Sequence, residues 1–342
     1  MLEELRKAAE HIHRMEQSRR AEAESVRAAN SLPKEALETQ FTIPLKTAKI
    51  RGKVSAVDGG LLAYEMHGAD LIIARAVSST FNYGEGSGKV EDYAYFPRAF
   101  PEPSYRVETG LDERETLWHK SLVRLEFEIS NALETAKKEK PDYLLLDGSI
   151  CPLMSDRPAE ESRLFPLYLN LLNKYKELYE FCMGNNVALV GVIKDSRSRR
   201  FVEMLNHSIS NGISDTVFLH HFLKEGERTF AFHYSDSPQK HHVLRELGKW
   251  GEKICALYSK PVKGDRPIRM EFLNGQKPFG EIADFISTLS AINRSYAYPA
   301  ILIDADLRAA LDPQELERAV KSLSLFAGPS LMDLRRNSRP FR

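Results

Sequence analysis

Two apolar runs in this chain end the same way. "VSAVD" stops at Asp58 and "YLLLD" stops at Asp147, and each aspartate is followed at once by glycine. Short apolar runs bounded by turn residues read as buried strands. A buried strand that closes on an unpaired charge carries a desolvation cost, so each aspartate needs a reason. Two reasons fit. Asp-Gly is a common turn signal; alternatively, the carboxylate has a partner that the sequence does not contain, such as a metal ion. If the two strands are neighbours in one sheet, the carboxylates stand side by side, and like charges at that distance call for a proton or a cation between them.

The rest of the chain sets the context. Residues 1–33 read as a helical extension, polar with a thin stripe of Leu2, Leu5, Ala9, Ile12 and Met15, broken by Ser31-Leu32-Pro33. So thin a stripe suits either a helix lying on the domain or a contact with a partner. Residues 34–328 read as the main domain, and 329–342 as a basic tail carrying Arg335, Arg336 and Arg339. From Val54 to Thr80 three strand-like pieces, "VSAVD", "LLAYEMHG" and "DLIIARAVSS", suggest an antiparallel meander with turns at Gly59-Gly60 and Gly68-Ala69-Asp70. Residues 81–110, rich in Gly, Pro and Tyr, read as an insertion. The clearest helix covers 112–139, with Trp118, Leu122, Leu125, Ile129, Ala132 and Ala136 in steps of four and three, closed by Pro141. A helix over about 161–183 leads to the buried strand "NVALVGVIKDS". "DTVFLHHFL" and "RTFAFHYS" read as strands, "QKHHVLRELGKWGEKICALYSK" as helix then strand, and "YPAILIDADLRAAL" as a strand running into a helix. Asp312-Pro313-Gln314-Glu315 starts the last helix with an N-cap, a first-turn proline and a capping glutamate.

Composition excludes several classes. The formal net charge over 342 residues is zero, so no global field draws the chain to nucleic acid or to membrane, and a polyanion site must come from local clustering. The longest apolar runs are strand-sized, too short to cross a bilayer. The first twenty residues mix both charges without an apolar core, unlike a secretion signal. Cys151, Cys182 and Cys255 are odd in number and far apart, fitting neither a disulfide framework nor a zinc site, and a cytoplasmic location is expected.

The long helix between the two aspartates offers a third acid. At 100° per residue its apolar face centres between Leu122 and Leu125, with Glu126 and Glu128 equally far from that centre on opposite sides. Val123 and Phe127 extend the apolar surface past Glu126, whereas Glu128 shares a side with Arg124, Asn131 and Thr135. Glu126 is therefore expected to be embedded and Glu128 solvated.

Strand with Asp58, further strands, helix with Glu126, strand with Asp147: this is the chain order of the ribonuclease H-like fold, an α/β class with a mixed sheet flanked by helices. There, acids from the first strand, first helix and fourth strand gather at one point. Hard oxygen ligands of this kind suit Mg²⁺ or Mn²⁺. A pair of such ions about 4 Å apart can activate water and stabilise the leaving oxygen of a phosphodiester.

The sequence resembles the archaeal NurA nuclease family. The resemblance rests on "AVDGG", "RLEFEIS", "LLLDGS", "VIKDSRSRR" and "YPAILIDADLRAA", in that order across residues 54–310. It implies a Mn²⁺-dependent deoxyribonuclease with 5′-to-3′ exonuclease and single-strand endonuclease action. It also implies a homodimer working with the hexameric ATPase HerA in double-strand-break resection. The family pattern puts metal-site acids at Asp58, Glu126 and Asp147, and a further residue in a run P-x-x-L-x-x-A-H-x-x-A. Pro299, Leu302, Ala305 and Ala309 match that run, but Asp306 stands where the histidine belongs. Aspartate still ligates a hard cation, and it cannot act as a cationic donor at neutral pH. Asp304 competes for the role and is also a plausible helix N-cap.

Lys194, Arg197, Arg199 and Arg200 in "KDSRSRR" follow a buried strand and suit phosphate contact near the acids, or a solvated loop. Tyr83, Tyr93, Tyr95 and Phe96 suit base stacking or packing within the insertion. His220-His221 and His241-His242 are adjacent rather than at chelating spacing and read as structural. A metal-dependent DNA nuclease is the leading reading. A non-catalytic DNA clamp or scaffold for a motor ATPase is the alternative, supported by Asp306 in the histidine's place. The same chemistry on RNA would leave no mark in the sequence.

Overall fold

A computed structural model describes residues 2–29, 31–85, 88–205, 212–328 and 332–334. In chain order the elements are α1 (Leu2–Ala29), β1 (Thr42–Pro44), β2 (Gly52–His67), β3 (Ala69–Tyr83), β4 (Val90–Phe96), β5 (Ser104–Thr109), α2 (Glu113–Glu139), β6 (Tyr143–Asp147), α3 (Phe165–Gly184) and β7 (Ala188–Ile193). There follow α4 (Arg200–Met204), α5 (Asp215–Phe222), β8 (Glu227–Thr229), β9 (Phe232–His233), α6 (His242–Leu247), β10 (Ile254–Lys260), β11 (Ile268–Leu273), α7 (Phe279–Ser290), α8 (Ala300–Ala309), α9 (Pro313–Ala327) and β12 (Met332–Asp333).

One mixed sheet organises them in the order β1-β8-β10-β11-β7-β6-β2-β3-β4, with β12 on β2, β5 on β3 and β9 on β10. The centre is parallel, β2 against β6 and β6 against β7, and the flanks are antiparallel. Parallel strands need crossover helices, and these cover both faces. Leu122, Ile129 and Ala132 of α2 and Tyr168, Leu171 and Tyr175 of α3 pack on one face with Val57, Leu144 and Leu146. Ile282 and Ile286 of α7 and Ile301 and Leu302 of α8 pack on the other with Val54, Ala56 and Leu145. Each fully buried aliphatic side chain there stabilises the fold by roughly 1.5–3 kcal/mol. The ribonuclease H-like class read from the sequence is the observed one.

Local chemistry sets the helix ends. Asp112 accepts from the Glu115 amide at 2.8 Å and Glu115 reaches back to the Asp112 amide, starting α2; Lys140 ends it in the left-handed conformation before Pro141. The same reciprocal box at Asp312 and Glu315 starts α9, as the sequence indicates.

Several expectations are corrected. Gly59-Gly60 is not a turn: β2 is a single 16-residue strand through both glycines, paired without a break to β3, so the meander is two long strands rather than three. Residues 81–110 are more regular than their composition suggests, since β4 and β5 lie within them and both add to β3. "DTVFLHHFL" is the helix α5, because Phe218 and Phe222 bury on one face four residues apart. His220 and His221 therefore lie on a helix, and His221 pairs with Glu16 at 2.9 Å. "RTFAFHYS" splits into two short strands. "YPAILIDADLRAAL" contains no strand: α8 begins directly after Pro299. The apolar stripe of α1 is exposed at Leu2, Leu5 and Ile12, and the helix attaches through later residues, with Ala23 buried and Arg27 bonded to Glu227 at 2.7 Å. Arg335, Arg336 and Arg339 lie outside the described residues.

Candidate active site

The carboxylates meet where the parallel centre of the sheet ends. Val57 pairs with Leu146, so the next step in register sets Asp58 beside Asp147. Alternation along β2 turns Asp58 to the same face as Val54 and Ala56, the face covered by α8. Val57 and Gly59 face α2. A Cβ at Gly59 would stand 2.6 Å from Glu128 Cγ and 2.8 Å from its Oε1. Gly59 is therefore the opening through which the Glu128 side chain approaches Asp58 and Asp147. Gly60 gives the same clearance to the Ala309 carbonyl at the end of α8, whose Asp306 adds to the field on Asp58. The double glycine serves close approach, which explains why the strand does not turn there.

The embedded glutamate is Glu128, not Glu126. Glu128 is 8% exposed, while Glu126 points aside to Lys174, with Nζ 3.0 Å from Oε1. The apolar neighbours Val123 and Phe127 pack against the antiparallel extension of β2 and β3 with Leu61, Ala63 and Ile72, so the surface they extend leads away from the acids. The polar side of α2 lies over the strand centre: Asn131 donates to Ala76 O, and Thr135 donates to Ser78 Oγ at 2.7 Å. Polar neighbours on a helix mark solvent only where no sheet lies under them, and here Asn131 and Thr135 are buried against β3.

The electrostatics follow from burial without full pairing. Burial, then Asp147 and Glu128, push the Asp58 carboxyl up to about 8, against one backbone hydrogen bond from Gly59. Burial raises Glu128 to about 7 although Arg124 Nη1 stands 3.2 Å away. Asp147 accepts from the Tyr298 hydroxyl at 2.7 Å and from Lys194 Nζ at 2.9 Å. Burial works against the Lys194 charge, but the bond to Asp147 prevails and its pKa is raised. Tyr298 was not singled out by sequence; its only signal is its place directly before Pro299. Asp306 is exposed on α8, on the side of the acids. Asp304 instead bonds Ser79 Oγ at 2.6 Å and Arg308 Nε at 3.0 Å.

A cavity of about 830 Å³ opens beside the cluster, lined by Glu128, Asp147, Arg124 and the basic loop before α4. Arg197 and Arg199 are exposed along it, and Arg200 is held 3.5 Å from Asp236. Tyr95 lies outside it, stacked under Arg308 at 3.7 Å, while Tyr93 is 63% exposed and Tyr83 is buried. Among the described residues, no three His, Cys, Asp or Glu side chains are arranged to hold a metal ion. No helix among them is long and apolar enough to cross a membrane.

A ribonuclease H-like sheet with acids gathered at the end of its parallel centre defines the class: an α/β protein of nuclease-type fold. Residues 52–311 match the family profile of the NurA domain, and the chain belongs to that family. The structure is similar to that of the NurA nuclease from Sulfolobus solfataricus, at 17% identity and TM-score 0.61, over 95% of this chain and 96% of that one. It is also similar to NurA with manganese, at 12% identity and TM-score 0.52 over 93% and 98% of the two chains. NurA bound to dAMP and manganese matches at 11% identity and TM-score 0.50 over 82% and 89%. No curated protein sequence matches.

Proposed function

We propose that this chain is a divalent-metal-dependent DNA nuclease that hydrolyses phosphodiesters. The observation that carries the reading is the convergence of three buried or half-buried carboxylates at one point: Asp58 stands in register beside Asp147, and Glu128 reaches in over Gly59. Two cations, Lys194 on Asp147 and Arg124 on Glu128, do not balance them, so Asp58 is pushed up to about 8 and Glu128 to about 7. Protein tolerates such a cluster where a cation completes it. The donor set fits a hard ion, being all carboxylate oxygen. As placed here these carboxylates are not drawn together around an ion, and Lys194 stands on Asp147; with Lys194 displaced and the side chains turned inward, Asp58, Glu128, Asp147 and Asp306 would hold it, with Glu128 taking the place expected for Glu126. Bound there, Mn²⁺ or Mg²⁺, singly or as a pair, supplies Lewis acidity and a lowered water pKa.

The chain's own groups have separate tasks. Tyr298 fixes one oxygen of Asp147, leaving the other to Lys194. Lys194 is a cation already standing at the acids, placed to move onto a phosphate when a metal takes its position. Arg197, Arg199 and Arg200 provide phosphate contacts along the cavity. Manganese in the related structures accords with Mn²⁺ as the ion here.

The finer reading rests on the resemblance drawn from sequence. It comprises 5′-to-3′ exonuclease and single-strand endonuclease action in break resection, a homodimer, a HerA-type ATPase partner and a cytoplasmic setting. The exposed stripe of Leu2, Leu5 and Ile12 on α1 suits a protein contact. A second reading, a DNA clamp without chemistry, is favoured by the ion pair of Lys194 with Asp147, which occupies the acids without a metal. End-labelled linear duplex incubated with Mn²⁺, and with Mn²⁺ plus chelator, tests both. Metal-dependent degradation that Asp58→Ala abolishes supports the nuclease; binding without cleavage in any divalent metal supports the clamp.

A further inference from the structure

At the wall of the cavity, which Arg269 and Glu271 line, two segments separated by some fifty residues are joined by a chain of buried hydrogen bonds. At one end, the Phe201 and Val202 amides, directly after the basic loop, donate to Asp215 at 3.1 and 3.0 Å. Asp215 accepts from the Tyr258 hydroxyl at 2.8 Å, and Tyr258 accepts from Arg269 Nη1 at 2.9 Å. Arg269 Nε donates to Glu271 Oε1 at 2.7 Å. Glu271 Oε2 accepts from Ser149 Oγ at 2.5 Å and from the Ile150 amide at 3.3 Å, in the loop that leaves Asp147. The Asp215 side chain is 0% exposed, and those of Arg269 and Glu271 are 3% exposed.

A buried ionic network is a poor device for stability alone, because the desolvation of its charges offsets most of their attraction. Its other use is geometric: hydrogen bonds have direction, and a fully satisfied chain fixes its two ends relative to each other. Here one end carries the arginines of the cavity rim and the other carries the Asp147 loop. We propose that the relay Asp215–Tyr258–Arg269–Glu271 is a positioning device that holds the phosphate-contacting loop in register with the acidic cluster. Tyr258, Arg269 and Glu271 are thus positioning residues for the reaction. The inference rests on the nuclease reading for its function and on the distances for its existence. Tyr258, at the middle of the relay, does not line the cavity and acts only through its neighbours.

The test compares the same chemical change inside and outside the relay. Tyr258→Phe removes the central hydroxyl. Tyr168→Phe removes the hydroxyl of a side chain as buried as Tyr258, bonded to Glu246 at 2.7 Å and outside the cavity lining. Glu271→Gln releases the Ser149–Ile150 end and serves if Tyr258→Phe does not fold. Melting temperature, kcat and KM on linear DNA in Mn²⁺, and Kd for a labelled oligonucleotide in chelator are measured well below the melting points. Tyr258→Phe is expected to raise KM and Kd about tenfold or more, and Glu271→Gln to lower kcat by a similar factor, the scale of a small misplacement. Tyr168→Phe lowers only the melting temperature. The inference is overturned if Tyr258→Phe and Glu271→Gln behave as Tyr168→Phe does, or if all three lose activity alike. Should the wild type cleave nothing in any divalent metal, the nuclease reading falls. Kd alone then decides: an unchanged Kd in Tyr258→Phe overturns the relay, and a selective loss of affinity supports it.

Discussion

The Glu128 side chain occupies the space that a side chain at Gly59 would fill, with the nearest approach only 2.6 Å from where a Cβ would be. This contact joins helix α2 to strand β2 at a position where the strand presents no side chain to that face. It brings a glutamate from one face of the sheet toward two aspartates on the other. The position after Asp58 is therefore as constrained as Asp58 itself.

Gly59→Ala should push Glu128 out of the cluster. Overpacking of this kind costs about 1–3 kcal/mol, so the variant should fold with a lowered melting point and lose most metal-dependent cleavage. Retention of wild-type kcat/KM would show that Glu128 does not need that space.

Glu128→Gln should be far more damaging than Glu126→Gln. Glu126 makes a part-exposed ion pair with Lys174, and such pairs are worth only about 0–1 kcal/mol. Cleavage rates of the two variants in Mn²⁺ decide the matter, and a larger loss in Glu126→Gln would remove Glu128 from the site.

Stability without metal should fall as pH rises. The pKa of Asp58 is raised from 3.8 to about 8 and that of Glu128 from 4.5 to about 7, so the folded state binds more protons than the unfolded state between these limits. Stability from both groups is fully present below about pH 4 and lost as pH climbs through about 7 and 8. Melting curves in chelator should show this decline, and Asp58→Asn should flatten it. Added Mn²⁺ should raise the melting point most at the alkaline end, where the empty cluster carries most charge. A metal-induced shift that is equal at pH 5 and pH 8 would contradict the assignment.

Asp306→Asn should weaken the melting shift caused by Mn²⁺, whereas Asp306→His should keep part of the activity, because imidazole also ligates Mn²⁺. Asp304→Asn should leave the metal shift intact, since Asp304 is engaged by Ser79 and Arg308. Calorimetric titration of the three variants measures this directly. Equal Mn²⁺ affinities for wild type and both Asp306 variants would exclude Asp306 as a ligand.

Much of the centre was legible in the chain. The apolar runs ending at Asp58 and Asp147 read as buried strands from local pattern alone; that they are neighbours is shown by the sheet register. The capped helix between them is equally plain, with Asp112 and Glu115 at one end and Pro141 beyond the other. Spacing within the matched run favours Asp306 over Asp304 as the fourth site residue; in the structure Asp304 is engaged by Ser79 and Arg308, while Asp306 is exposed on α8.

Other features depend on contacts distant in sequence. Asp-Gly-Gly carries the same local signal whether the chain turns or another element must approach it; only α2 and α8 pressing on β2 decide for approach. Glu126 and Glu128 are symmetric about the helix stripe, and the choice between them depends on which part of the sheet α2 crosses. Periodicity finds the face that a helix buries, but not what lies under each end of that face. The relay from Asp215 to Glu271 joins residues from separate elements and has no local pattern at all. The sequence by itself determined the apolar strand runs that lead to Asp58 and Asp147, the caps of α2 and α9 and the acids themselves, because these depend on neighbours a few residues away. The tertiary structure decided which glutamate joins them and what holds the basic loop in place, because those depend on side chains meeting across a sheet.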